Sequence, residues 1–249
     1  EPLFDNFYWW GHHVHQAEIL ERWPAEREYP PNQALALMRR VIHDHPDEVV
    51  LLTVGPMTNV ALLAASDPEA ARRLRGVYSM LGQMQFQGDD LRQECNTMLD
   101  PVAAGAVFQR RLPHHRVHGV NVAQGHRLTM RQVNTAFADD RFAPLRQCCD
   151  IWGKKGSDGH VGLHDPVTAA LLFEPRLAEY RRGRIGVKLF EEDPSGRFTF
   201  ERDQLGGALY LEPSEDGPHE MGTGVDGQAV LAHILRTIAG ERAEAALSA

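Results

Sequence analysis

Val49-Val50-Leu51-Leu52-Thr53-Val54-Gly55-Pro56-Met57-Thr58-Asn59-Val60-Ala61-Leu62-Leu63 is the stretch whose reading decides the fold class. Its first six residues form a continuous, β-branched apolar run. That is how a strand buried on both faces of a parallel sheet reads, with no polar alternation to mark a wet side. Gly55-Pro56 ends the run, and a helix starts at Thr58. Upstream, Leu35, Met38, Val41 and Ile42 recur at helical spacing behind Asn32, a suitable N-cap. Helix, strand, tight turn, helix is the rhythm of a parallel α/β sheet.

The rhythm continues outward from this stretch. Asp67 to Arg75 reads as a short helix with a capping Asp, and 76–81 as a strand. Asp100-Pro101 opens a helix through Phe108, with proline at the first helical position, where its missing N–H costs nothing. Residues 116–122 read as a further strand and 129–152 as amphipathic helix. His164-Asp165-Pro166 leads a helix through Phe173. Residues 185–190, 197–202 and 208–212 read as late strands with an antiparallel section. Residues 227–240 read as a closing helix with an apolar stripe of Val230, Leu231, Ile234, Leu235 and Ile238. No repeat, low-complexity tract or linker divides the chain, so residues 1–249 are expected to form one domain. The expected architecture is an open, mostly parallel sheet flanked by helices.

Bulk properties narrow the function. Hydrophobic residues make up 43% and charged residues 24% of 249, ordinary for a soluble globular protein. The formal net charge is -8 and no Lys/Arg-rich run occurs, which argues against a nucleic-acid partner. No stretch reaches the roughly 18 apolar residues of a membrane span, and no signal peptide is visible. Three cysteines, Cys95, Cys148 and Cys149, make no disulfide framework or zinc spacing and read as reduced thiols in a cytoplasmic protein. Residues 1–31 are irregular, aromatic and His-rich, and read as loop.

Ligands of open α/β sheets bind beyond the carboxyl ends of the strands. Three polar clusters fall at such places: Gly55-Pro56-Met57-Thr58-Asn59, Glu94-Cys95-Asn96 ahead of Asp100-Pro101, and Leu163-His164-Asp165-Pro166. Helix capping alone accounts for Asp100 and Asp165, whereas Glu94 and Asn96 have no evident capping task.

Taken in order, these clusters resemble the inosine-uridine-preferring nucleoside hydrolase family. The matching stretches are 52–62, Asp67-Pro68-Glu69, Tyr78 to Gly82, Glu94 to Asn96, Asp100 to Ala104, and Leu163 to Pro166. The resemblance implies cleavage of the ribose–base bond of ribonucleosides by water, through an oxocarbenium-like transition state. It implies a bound Ca²⁺, a hard cation taking six to eight oxygen ligands, that holds the attacking water. It assigns Asp165 and the Thr58 carbonyl to the metal, Glu94 and Asn96 to the ribose hydroxyls, and His164 to the leaving base, where an imidazole can give a proton near neutral pH. Asp165 and His164 are thereby the catalytic candidates. A nucleoside substrate and a homo-oligomer, dimer or tetramer, are implied with it.

The sequence also departs from the family. The Asp-x-Asp-x-x-x-Asp-Asp strand end that supplies most metal ligands has no match here, so the first βα unit is expected to be missing. Gly82-Gln83 replaces a Gly-Gly pair, Cys95 replaces a Phe, and Asn121-Val122-Ala123 replaces Asp-Val-Thr. Two rival readings follow: a non-catalytic relative that binds a nucleoside or a protein, and a hydrolase completed by another chain or by residues 1–15. In the last case Asp5, His12, His13 and His15 are the candidates, and histidines suit zinc or iron better than calcium.

Overall fold

In the computed structural model the described residues are 22–23, 30, 32–156, 159–191 and 205–249. In chain order the first elements are α1 (Ala34–Asp44), β1 (Val50–Thr53), α2 (Thr58–Ser66), α3 (Pro68–Arg72), β2 (Gly76–Met80), α4 (Cys95–Leu99), α5 (Pro101–Phe108) and β3 (His115–His118). Then come β4 (Arg127–Thr129), α6 (Met130–Ala136), α7 (Ala143–Gly156), β5 (His160–Gly162) and α8 (His164–Phe173). The chain closes with β6 (Ala178–Phe190), β7 (Gly206–Pro213), β8 (His219–Val225), α9 (Gly227–Ala239) and α10 (Ala243–Leu247). No described helix is long and apolar enough to cross a membrane.

These elements form two compact units. One takes in Pro30–Val122 and Ala178–Val225; the other takes in Ala123–Leu177 and Asp226–Ala249. The first unit is built on a six-stranded sheet in the order β1-β2-β3-β8-β6-β7. β1, β2, β3 and β8 run parallel, while β6 runs antiparallel to both β8 and β7. The fold is α/β with a mixed, mostly parallel sheet flanked by helices. On one face Val77, Val117, Met221, Ile185, Leu209 and Leu211 pack against Ile42, Leu63, Ala104, Val107 and Phe108 from α1, α2 and α5. Each such buried Leu, Ile or Val stabilises the fold by about 1.5–3 kcal/mol. The other face carries a cross-strand row: Leu52 opposite Tyr78, Tyr78 opposite Arg116, Arg116 opposite Glu220, and Glu220 opposite Arg182. Glu220 accepts from Arg116 at 2.7 Å and from Arg182 at 3.2 Å, and Arg116 lies 4.8 Å over the Tyr180 ring.

The second unit holds the antiparallel pair β4–β5 and the remaining helices. Thr129 and Gln132 form a reciprocal capping box at the start of α6. In α9 the inward stripe is Val230, Ile234, Leu235 and Ala239, while Ile238 is 39% exposed. Gly240, at φ 57, ends that helix.

Several sequence expectations change. β1 is not buried on both faces: Val50, Leu52 and Val54 are 36%, 38% and 43% exposed. The reason is topological, because β1 pairs only with β2 among the described strands, and alternate residues face away from the helices. Asn32 sits at φ 60, and the residue preceding α1 is Gln33, with no side-chain cap. The strand expected over 116–122 stops at His118, because Gly119 leads into a single helical turn, Val120–Ala123. The helix expected over 129–152 is divided by a 3-10 turn at Asp140–Phe142. Residues 185–190 belong to a strand of 13 residues that begins at Ala178. The strand expected at 197–202 lies outside the described residues. β8 was read as no element at all, yet it sits between β3 and β6.

One backbone position controls the carboxyl end of the sheet. Gly82 follows β2 at φ +70, and a Cβ there would lie 2.4 Å from Leu209 Cδ1. Gly82→Ala is therefore expected to lower stability by about 2–4 kcal/mol, combining left-handed strain with overpacking. A urea unfolding curve measures this, and an unchanged midpoint would show that the turn relaxes around a methyl group.

Candidate functional site

Three of the residues singled out by sequence, Thr58, Glu94 and Asn96, lie in the sheet unit, at the carboxyl ends of β1 and β2. Thr58 begins α2 just past the Gly55-Pro56 turn and is buried. Its hydroxyl donates to Asp100 Oδ2 at 2.5 Å. Asp100, fully buried, accepts the Ala103 N–H through Oδ1 and so caps α5. One carboxylate thus joins the starts of α2 and α5.

Glu94 is also a cap, which the sequence reading did not anticipate. Its backbone is extended, and its side chain accepts from Asn96 N at 2.8 Å and Thr97 N at 3.1 Å at the start of α4. Oε2 further accepts from Gly82 N at 2.7 Å and from the Thr97 hydroxyl at 3.2 Å. Burial pushes its acidity constant up, and the N–H groups of Asn96, Gly82 and Thr97 pull it back down. The missed signal was the spacing Glu94-x-x-Thr97. Glutamate is an uncommon N-cap, and its longer side chain allows it to reach Gly82 as well as the helix.

Asn96 donates through Nδ2 to the Met80 carbonyl at 2.9 Å and to Met80 Sδ at 3.4 Å. Its Oδ1 has no hydrogen-bond partner among the described residues. Between Glu94 and Asn96, burial pushes the Cys95 thiol up to about 12, with the Glu94 charge adding to the effect. A thiol held protonated is a poor nucleophile or metal ligand.

The loop from Gln83 to Gln93 is fastened to β7. Gln85 Nε2 donates to the carbonyls of Arg92 and Leu209, the Gln85 carbonyl accepts from Leu211 N, and Gln93 Oε1 accepts from Gly207 N. On the β3 side Asn121 Oδ1 accepts from Met84 N, and its Nδ2 donates to the Gly222 carbonyl. Asn121, where the family carries Asp, thus ties two loops together. An aspartate could not make the second of these bonds, because an ionised carboxylate has no donor.

His164 and Asp165 lie in the other unit, at the start of α8. Asp165 does not cap that helix: it sits inside the first turn, is exposed, and makes no side-chain cap bond. Burial raises the Asp165 carboxyl and His164 beside it acts the other way. His164 is shifted down, by burial first, with Arg127 adding and Asp165 opposing. Its ring lies against Gly162. Among the described residues no group of three or more His, Cys, Asp or Glu is placed to hold a metal ion.

The sequence profile described as Inosine-uridine preferring nucleoside hydrolase matches residues 9–232. The chain belongs to this family. The Pyrimidine-specific ribonucleoside hydrolase RihA of Citrobacter koseri is 31% identical over 177 residues, 67% of this chain and 54% of that protein. The protein of the same name from an Enterobacter species is 34% identical over 177 residues, 67% of this chain and 53% of its own. The chain thus spans about half the length of the curated relatives it matches. Among solved structures, a plant nucleoside hydrolase, the PpNRh1 enzyme, superposes with a TM-score of 0.71 at 19% identity, over 89% of this chain and 72% of that one. The Purine-Preferring Ribonucleoside Hydrolase from Gardnerella vaginalis gives 0.72 at 20% identity, over 89% and 69%. These two likenesses establish the fold.

The Thr58–Asp100 bond is the most buried polar contact of the site. Thr58→Val keeps the shape and removes the donor. We expect a loss of about 1.5–3 kcal/mol, the range for a hydrogen bond to a charged group, and little loss for Thr58→Ser. Equal unfolding midpoints for Thr58→Val and the unaltered chain would contradict this.

Proposed function

We propose that the chain acts on ribonucleosides, cleaving the N-glycosidic bond with water to give ribose and free base. The observation that carries this reading is the turn Glu94-Cys95-Asn96. It is locked to Gly82 and Met80 at the carboxyl end of β2, with one amide oxygen left unpaired. That is where an open α/β sheet presents its ligand, and an amide oxygen is a fit acceptor for a ribose hydroxyl. The relatives are named as ribonucleoside hydrolases of pyrimidine specificity, so uridine and cytidine head the substrate panel.

In this reading Asn96 accepts from a ribose hydroxyl, and Glu94 holds the turn that presents it. His164 faces the leaving base, where its N–H can donate as the base departs. The transition state gains positive charge on the sugar.

Calcium needs six to eight oxygen ligands, and its affinity rises with their charge. The described residues do not fit that need, since no cluster of three ligating side chains forms among them. Thr58 and Asp165 keep the metal role that the family implies only where further carboxylates join them. No step is derived through the ion. The same observation favours a second reading, nucleoside binding without turnover.

Reducing-sugar release from uridine, cytidine and inosine, with and without added calcium, separates the two. We expect turnover, with ribonucleosides preferred over deoxyribonucleosides. Nucleoside binding with no sugar released would establish the second reading, and neither binding nor turnover would refute both. Asp165→Ala is expected to abolish turnover while lowering stability by no more than about 1 kcal/mol, because an exposed first-turn acid contributes only a helix-dipole term. Full activity in that variant would remove Asp165 from the reaction.

A further inference from the structure

At the amino ends of the strands, opposite the turn that carries Asn96, two imidazoles face each other inside the sheet unit. His115 opens β3 and His219 opens β8, in direct register across a parallel pair. Both are 1% exposed. Their ring centres are 5.6 Å apart at 83°. Phe108 of α5 stacks on His115 at 5.2 Å and meets His219 edge-on at 5.2 Å.

The hydrogen bonds fix which protons these rings hold. The Ile185 N–H of β6 donates to His219 Nδ1 at 3.2 Å. Nδ1 must therefore be bare, and the ring proton sits on Nε2, which is buried without a partner. His115 Nε2 is paired with the Ser79 hydroxyl at 2.9 Å, and its Nδ1 is buried without a partner. A second proton on His219 has one place to go, Nδ1, where it would point at the Ile185 N–H and break that bond. A second proton on His115 would leave a charged, buried N–H beside His219. The groups facing the pair offer no compensation among the described residues. β2 presents the neutral Ser79, β6 a backbone amide, α5 the Phe108 ring, and the segment after α5 the cation Arg111, which itself disfavours charge on His219.

We propose that the His115–His219 pair is an acid-sensitive latch on the seam where β8 inserts between β3 and β6. It is closed when both rings are neutral and opened when they take up protons. Burial, with each neighbour's charge adding, holds His115 down to about 3 and His219 to about 4, against 6.5 for a free imidazole. A histidine depressed in the folded state contributes its full stability above pH 6.5. That contribution is lost as the pH falls from 6.5 toward the folded values, because the unfolded chain takes up the protons first. The latch acts on the sheet and is independent of the reading of the reaction.

The test replaces each ring by an amide that keeps the bonding atom and cannot titrate. In His219→Asn, Oδ1 stands where Nδ1 accepts from Ile185. In His115→Gln, the terminal amide stands where Nε2 meets Ser79. Between pH 7.5 and pH 5 the unfolding equilibrium constant of the unaltered chain is expected to rise at least about tenfold more than that of the double variant. Exchange of the Ile185 amide is expected to be the first to accelerate. Equal pH dependence in the two proteins would overturn the latch. Should the double variant fail to fold, imidazole ¹⁵N shifts of the unaltered chain decide. Both rings remaining neutral in the folded protein at pH 5, with His219 protonated on Nε2 alone, supports the proposal. Either ring titrating near pH 6.5 while the Ile185 amide stays protected overturns it.

Discussion

The backbone of Gly82 is the constraint on which the carboxyl end of the sheet depends. Its N–H is held by Glu94 Oε2, and its carbonyl accepts from Val120 N at 2.8 Å. A Cβ on Gly119 would come within 2.9 Å of that carbonyl, and a Cβ on Gly82 itself would strike Leu209. The loop after β2, the turn after β3 and the start of α4 therefore all take their positions from one peptide with left-handed φ, a conformation that glycine adopts at little cost. Without it the Glu94 carboxylate would lose one of the four donors that make its burial tolerable.

Much of this was legible in the sequence where a single local signal sufficed. Asp67 and Asp100, each before a proline, cap their helices through their side chains as expected. The Gly55-Pro56 turn and the helix from Thr58 follow directly from composition. What stayed hidden depended on contacts distant in sequence. β8 reads as a broken stretch, with Gly222 and Gly224 inside it, yet it is gripped on both sides by strands far away along the chain. Conversely, the apolar run of β1 signalled burial on both faces, and its exposed alternate residues show that composition reports propensity while strand order decides exposure.

The two edges of the sheet are managed differently. Beyond β7, Phe86 bridges to Leu211 and the Gln85 and Gln93 side chains meet the backbone, so a loop covers that edge. At β1 the described residues supply no such cover. The site inherits this asymmetry. The loop that protects β7 is the one that ends in Glu94, so sealing that edge and placing the Asn96 amide are a single structural act.

That coupling bears on how the Glu94-Cys95-Asn96 turn is to be read. The family resemblance assigns both Glu94 and Asn96 to the sugar, but their chemistry here is unequal. Both oxygens of Glu94 already accept from the protein, and a ribose hydroxyl would have to share or displace a backbone donor from a nearly buried carboxylate. Asn96 is held by its donor end, with its acceptor end unpaired. The two residues therefore divide one task. Glu94 sets the position of the turn, and Asn96 offers the atom that a hydroxyl can use without unmaking any hydrogen bond of the fold.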